Sequence, residues 1–392
     1  GGFGGTAFDT LQTSMPGFVT SLGYTANDAV VTISSANLGA GQQLGRNQQH
    51  VANAINDYFN NGGMLTSGFS NIFSLSGRRL GDALSQVSGE AATDAQQGAF
   101  QLMNGFVGVM LDPARRDRGQ AGGGSALGFA AEHGMPSELA RAYASIFRSA
   151  IEKPQWVEPR WNTWVSGFGG STTIAGDIAS GSHDTTTRIY GTAGGVDYRV
   201  SPDTAIGFAF SGAGTNWGLA SGLGGGKSDA FQAGLYGFRR WGHAYVSAAF
   251  AFANHWMSSD RYALTGSRLT GNFDAQSYGG RLEGGYRVAT QFGGVTPYAA
   301  VQAMAFHTPA YNETDVSGGV LALSYGSRDA TDTRSEFGVH YDRTLLLDSN
   351  ELLTFRGRVA WAHDRVDDPT LNAVFQSLPG SSFVVGGAAP AK

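Results

Sequence analysis

The stretch of this chain nearest to a chemical signature is Ser221-Gly222-Leu223-Gly224-Gly225-Gly226-Lys227-Ser228. A phosphate loop needs Gly at its first position and a helix opening behind its Lys and Ser, so that backbone N–H groups meet the phosphate. Here the first position is Ser, and the flanking pattern joins strand to strand. An external loop is expected instead. Gly123-Gly124-Ser125-Ala126-Leu127 lacks the closing Gly of a nucleophile elbow and the strand–turn–helix setting that would expose its serine. The eight His follow no H-E-x-x-H or comparable zinc spacing. His243, His255, His307, His340 and His363 fall in or beside strands, where wall or interfacial roles are expected. With no Cys in the chain, disulfides and thiolate metal sites are excluded. No catalytic, cofactor-binding or metal-ligating residue is assigned, no cofactor is expected, and the chain is not read as an enzyme.

A different pattern links Arg281, Glu283, Arg287, Arg334, Glu336, Asp342, Arg356, Arg358 and Asp364, which recur at even spacings along three segments. Even spacing places side chains on one face of a strand. Opposite the first three stand Tyr278, Leu282, Tyr286 and Val288. Phe337, Val339 and Tyr341 oppose the second group, and Leu353, Phe355, Val359 and Trp361 the third. These charges either line a hydrated lumen of mixed sign that grips a threaded helix, or form the solvated face of a soluble sheet.

The elements that would position them are nine amphipathic strands from Trp161 to about Asp364. Ser201-Pro202-Asp203, Trp241-Gly242, Gln291 to Gly294 and Asp348-Ser349-Asn350 read as tight turns. The intervening links, 170–185, 214–229, 257–274 and 308–332, read as long. Alternating short and long connections predict an outer-membrane barrel, with apolar side chains outward and charges inward. A soluble sandwich would use Greek-key links that do not alternate in this way. No apolar run approaches the roughly 20 residues of a membrane helix, and the 59 Gly with 11% aromatics suit close-packed β-structure with interfacial girdles. A net charge of −5 gives no reason to expect a nucleic-acid partner.

Upstream the period changes. Residues 1–40 are rich in Gly, Thr and Ser, with β-like pieces such as Ala29-Val30-Val31-Thr32-Ile33, and Gly1 reads as a cut rather than a native start. Val51, Ile55 and Phe59 then share a helical stripe, as do Ala99, Met103, Phe106 and Met110. Leu139, Tyr143, Phe147 and Ile151 form a third stripe. It lies on a helix over 137–151 that would span roughly 22 Å. The expected division is 1–40, 41–153 and 154–392. Since the short turns follow the even-numbered strands, strand one starts at the short-turn, periplasmic end. A helix threading the lumen into strand one would put everything before it outside the cell.

The order of several segments resembles the C-terminal region of autotransporters, the type V secretion family. Leu22-Gly23-Tyr24-Thr25-Ala26-Asn27-Asp28-Ala29-Val30-Val31-Thr32 is similar to the close of a β-helical passenger. Asn47-Gln48-Gln49-His50-Val51-Ala52-Asn53-Ala54-Ile55 is similar to the helical stretch behind it. Leu84-Ser85-Gln86-Val87-Ser88-Gly89-Glu90-Ala91 resembles the connector's "LSGE" landmark, with Val87 for the usual Leu. Trp161-Asn162-Thr163-Trp164-Val165-Ser166-Gly167-Phe168-Gly169-Gly170 resembles a first barrel strand. Gly293-Gly294-Val295-Thr296-Pro297-Tyr298-Ala299 and Gly386-Gly387-Ala388-Ala389-Pro390-Ala391 also fit.

The resemblance implies an all-β membrane barrel of about twelve strands preceded by a helical connector. It implies an outer-membrane translocator that exports and anchors an N-terminal passenger at the cell surface. Its partners would be outer-membrane lipid, its own passenger and the barrel assembly machinery, and the barrel would be monomeric. About three strands and a terminal aromatic are expected beyond Lys392. Without them the barrel should not close, because lipid does not tolerate open strand edges. Family members that cut themselves in the luminal helix use Asn, and residues 137–152 have none. No such cleavage is expected. Three alternatives stay open: a surface adhesin or structural protein, an enzyme whose active part lies upstream, and a simple porin-like pore.

Overall fold

The computed structural model describes residues 7–112, 160–346, 352–367 and 370–388. A hairpin of β1 (Phe18–Tyr24) and β2 (Ala29–Ala36) leads into α1 (Arg46–Asn60), the single turn α2 (Ser67–Ser70), α3 (Gly77–Val87) and α4 (Ala95–Met110). Val51 and Ile55 of α1 meet Leu80 and Leu84 of α3 in a buried cluster. Phe18 stacks on Phe73 at 4.1 Å and so ties the hairpin to the helices.

The wall follows. Its strands are β3 (Trp161–Ile174), β4 (Thr185–Ser201), β5 (Thr204–Leu219), β6 (Gly225–Trp241), β7 (Ala244–Ala263), β8 (Ser267–Tyr286), β9 (Val288–Thr290), β10 (Gly293–Thr308), β11 (Tyr311–Asp315), β12 (Leu323–Tyr325), β13 (Arg328–Leu346), β14 (Leu352–Asp367), β15 (Thr370–Phe375) and β16 (Ser382–Gly386). Nine of these are long, matching the nine expected, and every pairing is antiparallel. Among the described residues the wall runs β3-β4-β5-β6-β7-β8-β10-β13-β14 and is not closed, since β3 and β14 are its two ends.

The sheet forks at β8. Beside Gln276–Gly285 runs β10, and beside Leu269–Gly271 runs β11, the continuation of β10. From β11 a small second branch, β12-β15-β16, leaves the wall and packs on α1, with Asn47 and His50 hydrogen-bonded to the backbone of Gly386 and Val384. Thr370–Phe375 and Ser382–Gly386 thus add two strands beyond the nine expected, which ended at about Asp364.

Two of the four long links are corrected. Only Ala220–Gly224 joins β5 to β6, and only Leu264–Gly266 joins β7 to β8. The strands run on through 214–219, 225–229, 257–263 and 267–274. Gly, Ser and Asn in those stretches read as loop because the apolar residues change faces there. On β7 the outward residues Val246, Phe250 and Trp256 are exposed, and the inward ones are Ser247, Ala249 and Ala251. Past Trp256 the outward side turns mostly polar, with Ser258 and Asp260 before Tyr262, while inward Met257 and Ala263 are buried alongside Ser259 and Arg261. β8 does the same in reverse. Arg268, Asn272, Asp274 and Gln276 face out over buried Leu269, Phe273 and Ala275, and then Tyr278, Leu282 and Tyr286 face out opposite Arg281 and Glu283.

A sheet with its apolar face outward suits lipid, and one with its apolar face inward suits water. Each long hairpin therefore passes from one solvent to the other. From Val246 to Trp256 is roughly 34 Å of strand, or about 24 Å along the normal at a roughly 45° tilt, close to the roughly 25 Å apolar band of outer-membrane barrels. At the short-turn end the band is bordered by aromatics. Trp161 packs on Tyr198 with ring centroids 4.7 Å apart, and Arg239 lies 5.0 Å over Trp241.

Candidate functional site: the concave face and its helix

α4 lies on the concave face of the wall. Ala99, Met103, Phe106 and Met110, the stripe read from the sequence, are buried, and α4 meets β3 through β8 and β10. Its seat is cut by glycine. A Cβ at Gly279 would stand 2.6 Å from Met103, and one at Gly98 would stand 2.9 Å from Thr215. Contacts closer than about 3 Å force the facing side chain to shift if the glycine is enlarged, so helix and strand touch where one of them has no side chain. Asp94 and Thr185 meet at the hairpin end, and Met110 reaches Gly234 farther down the wall. The helix thus runs inward from the hairpin end. The sequence reading expected a luminal helix at 137–151, with Leu139, Tyr143, Phe147 and Ile151. That segment lies outside the described residues.

The other side of α4 is polar or small. Gln101, Asn104, Gly105 and Gly108 border a cavity of about 980 Å³ whose far wall carries Arg281, Glu283, Arg334, Glu336, Arg356 and Arg358. Asn104 is within 3.4 Å of Gln302 on β10.

The structure brings the nine charged residues of the sequence pattern onto this one face. Glu336 is 1% exposed and accepts hydrogen bonds from Arg281, Tyr298 and Arg358. Arg281 also bonds Glu283 at 2.9 Å, and Glu283 accepts from the Tyr245 hydroxyl at 2.8 Å. Arg334 stands 3.5 Å from Glu336 and 3.6 Å from Asp364. Arg287 pairs with Asp342 nearer the short turns. Cross-strand register makes these meetings possible: Arg334 faces Asp364, and Asp342 faces Arg356. The buried members, Arg281, Glu283 and Glu336, are paired with one another, as burial of ions requires.

Tyr245 and Tyr298 belong to this network, and Gln302 lies on the same face toward α4; none was assigned by the charge pattern alone. Their signal was the same inward parity on strands otherwise lined by Ala: Tyr298, Ala300, Gln302 and Met304 alternate with Ala299, Val301 and Ala303. A further pair, Arg261 with Glu313, is buried at the hairpin end with the Tyr325 hydroxyl on the same carboxylate. No sequence spacing connects it, because its partners meet only at the fork of the sheet. Among the described residues no group of His, Asp and Glu is arranged to hold a metal ion. The octapeptide 221–228 is part turn and part β6, with no helix to receive a phosphate.

The "Autotransporter beta-domain" family model matches residues 163–392. Among solved structures the chain is similar to the translocator domain of autotransporter NalP from Neisseria meningitidis. Identity is 13%, over 60% of this chain and 82% of that one, with a TM-score of 0.44. It is also similar to the β domain of the Bordetella autotransporter BrkA, at 17% identity over 55% of this chain and 84% of that one, with a TM-score of 0.43. No curated protein sequence matches it.

Proposed function

This chain belongs to the autotransporter β-domain family and is an outer-membrane translocator, and from that premise we propose how its parts divide the work. Residues 154–392 are the barrel domain, its branch β12-β15-β16 standing off the membrane wall, 41–153 the connector, and 1–40 the end of a passenger displayed at the cell surface. The observation that carries the reading is the exchange of apolar and polar faces along β8 at Gln276, beside which the outward side of β7 passes from Phe250 to Ser258 and Asp260. A soluble sheet has no reason to turn inside out partway along a strand. A wall that leaves lipid for water does.

Lipid contacts the outward band from Val246 to Trp256. α4 is the luminal helix, and the charge network of Arg281, Glu283, Arg287, Arg334, Glu336, Asp342, Arg356, Arg358 and Asp364 keeps the space beside it hydrated. Among the described residues β3 and β14 each have one edge without a partner strand, and lipid cannot satisfy such an edge. The membrane state therefore needs both edges paired, and the barrel assembly machinery is the partner that accomplishes it. The wall itself is not catalytic; adhesive or enzymatic activity belongs to the passenger. The test is fractionation of the native full-length protein, followed by external protease on intact cells. Recovery in the outer membrane with loss of the N-terminal part is expected. A protein soluble without detergent overturns the proposal.

A further inference from the structure

The landmark Val87-Ser88-Gly89-Glu90 sits where the connector meets the hairpin end of the wall, and its contacts go beyond joining two helices. Between α3 and α4 a turn at Glu90–Asp94 places two carboxylates one helical turn apart, both nearly inaccessible to solvent. Glu90 accepts from the backbone N–H of His183 at 2.6 Å and meets His183 Nδ1 at 2.7 Å. His183 belongs to the link between β3 and β4. Asp94 accepts from the Thr185 hydroxyl at 3.1 Å. The Trp217 indole donates to the Ala91 carbonyl at 3.0 Å, and Arg261 donates to the Gln86 carbonyl at 3.0 Å. Gly89 takes a left-handed conformation, φ 73°, and a Cβ there would lie 2.4 Å from the Tyr325 hydroxyl. One short turn is thus pinned to β4, β5, β7 and β12.

We propose that this turn is a pH-sensitive latch that holds α4 on the concave face, tightening in acid and loosening in alkali through the pairs Glu90–His183 and Asp94–Thr185. The charged and titratable groups around it are these. The turn brings Glu90 and Asp94, and Asp82 on α3 faces His183. The β3–β4 link brings His183 and Asp184. On the wall, Arg261 of β7 is held by Glu313 of β11, and Tyr325 of β12 shares that carboxylate. Arg328 of β13 bonds Gln96 on α4.

The two titrations have the same sign. The hydrogen bond of its ring to the Glu90 carboxylate raises His183 above its ordinary value, so the pair contributes fully below about pH 6.5 and is lost as pH rises through the raised value. Burial pushes Asp94 up to about 8, so it is held as the neutral acid. Ionising it beside Glu90 sets two buried negative charges side by side. Its contribution likewise falls from the ordinary carboxylate range upward, through about 8. Both groups therefore weaken the latch as pH rises. The inference rests on the contacts of the turn, and membrane insertion is read separately by fractionation.

The test uses the full-length protein in lipid nanodiscs. Any Cys of the full-length protein is first changed to Ser, this chain having none, and Gly108→Cys on α4, where a side chain has open space, and Lys227→Cys on β6 carry two spin labels. Dipolar distances are then measured from about pH 6 to about pH 9, with an undocked population growing at least about threefold expected across that range. Asp94→Asn should stay docked at the alkaline end, and His183→Gln should lose the acid-side tightening. The double variant should give a flat profile. A flat wild-type profile, or a wild-type response that survives in the double variant, overturns the latch. If a variant does not fold, the wild-type titration decides alone.

Discussion

Replacing Glu336 by Ala removes the acceptor shared by Arg281, Tyr298 and Arg358. The cost can be apportioned from what each partner keeps. Arg358 has a side chain 48% exposed, so water replaces most of what it loses. The Tyr298 hydroxyl still accepts from Arg358 Nε at 2.6 Å. Arg281 is the expensive one. Its side chain is 8% exposed, and it is left with Glu283 alone. Removing one partner of a buried pair costs about 3–5 kcal/mol, and the remaining Glu283 contact places this case near the lower end, at about 3 kcal/mol. Glu336→Gln keeps an acceptor but not the charge and should cost about half as much, roughly 1.5 kcal/mol. Adding Arg281→Met to Glu336→Ala removes the orphaned charge and should recover most of the loss, to within about 1 kcal/mol of the native protein. The assay is urea unfolding of the full-length protein in detergent micelles, with the four proteins compared as a double-mutant cycle. If Glu336→Ala lies within about 0.5 kcal/mol of wild type, or Arg281→Met adds to the loss, the network is a set of screened surface contacts and the reasoning fails.

Other expectations follow from the same geometry. Phe250→Arg, outward in the apolar band, should cost about 2–4 kcal/mol and reduce outer-membrane yield, whereas Asn272→Arg, outward on β8 opposite Ser258 and so beyond Trp256, should stay within about 0.5 kcal/mol; equal effects would erase the proposed boundary. Gly279→Val should press on Met103 and destabilise by about 1–3 kcal/mol, read as faster proteolysis within α4; unchanged protection would mean that α4 does not sit on β8. A Gly98→Cys/Thr215→Cys pair should oxidise readily, since the two Cβ positions lie 3.5 Å apart, and non-reducing electrophoresis checks it; no cross-link would place α4 elsewhere.

The strands were legible because period-two alternation marks a two-faced strand whichever face is wet. Tyr278, Leu282 and Tyr286 against Arg281 and Glu283 is such a case, and those faces are the ones observed. The lengths were less legible. Ser258, Asp260, Asn272 and Asp274 keep the alternation but exchange its sense, so a reader following apolar residues loses the strand at the water boundary. The helical stripe of α4 was also readable, from Ala99 to Met110. Its partners were not, because Thr215, Gly234 and Gly279 are remote in the chain and carry little pattern of their own.

By itself, then, the sequence determined the wall's strands, the parity of the nine charged residues and the helical stripe of α4. Those are local properties, set by side-chain direction every two or every 3.6 residues. Tertiary structure alone decided that Glu336 is shared by three donors, that the sheet forks at β8, and that Glu90 meets His183. Each of those depends on register and on sheet curvature, which bring residues from distant strands within hydrogen-bond reach. No spacing along one segment encodes where a second segment will lie beside it.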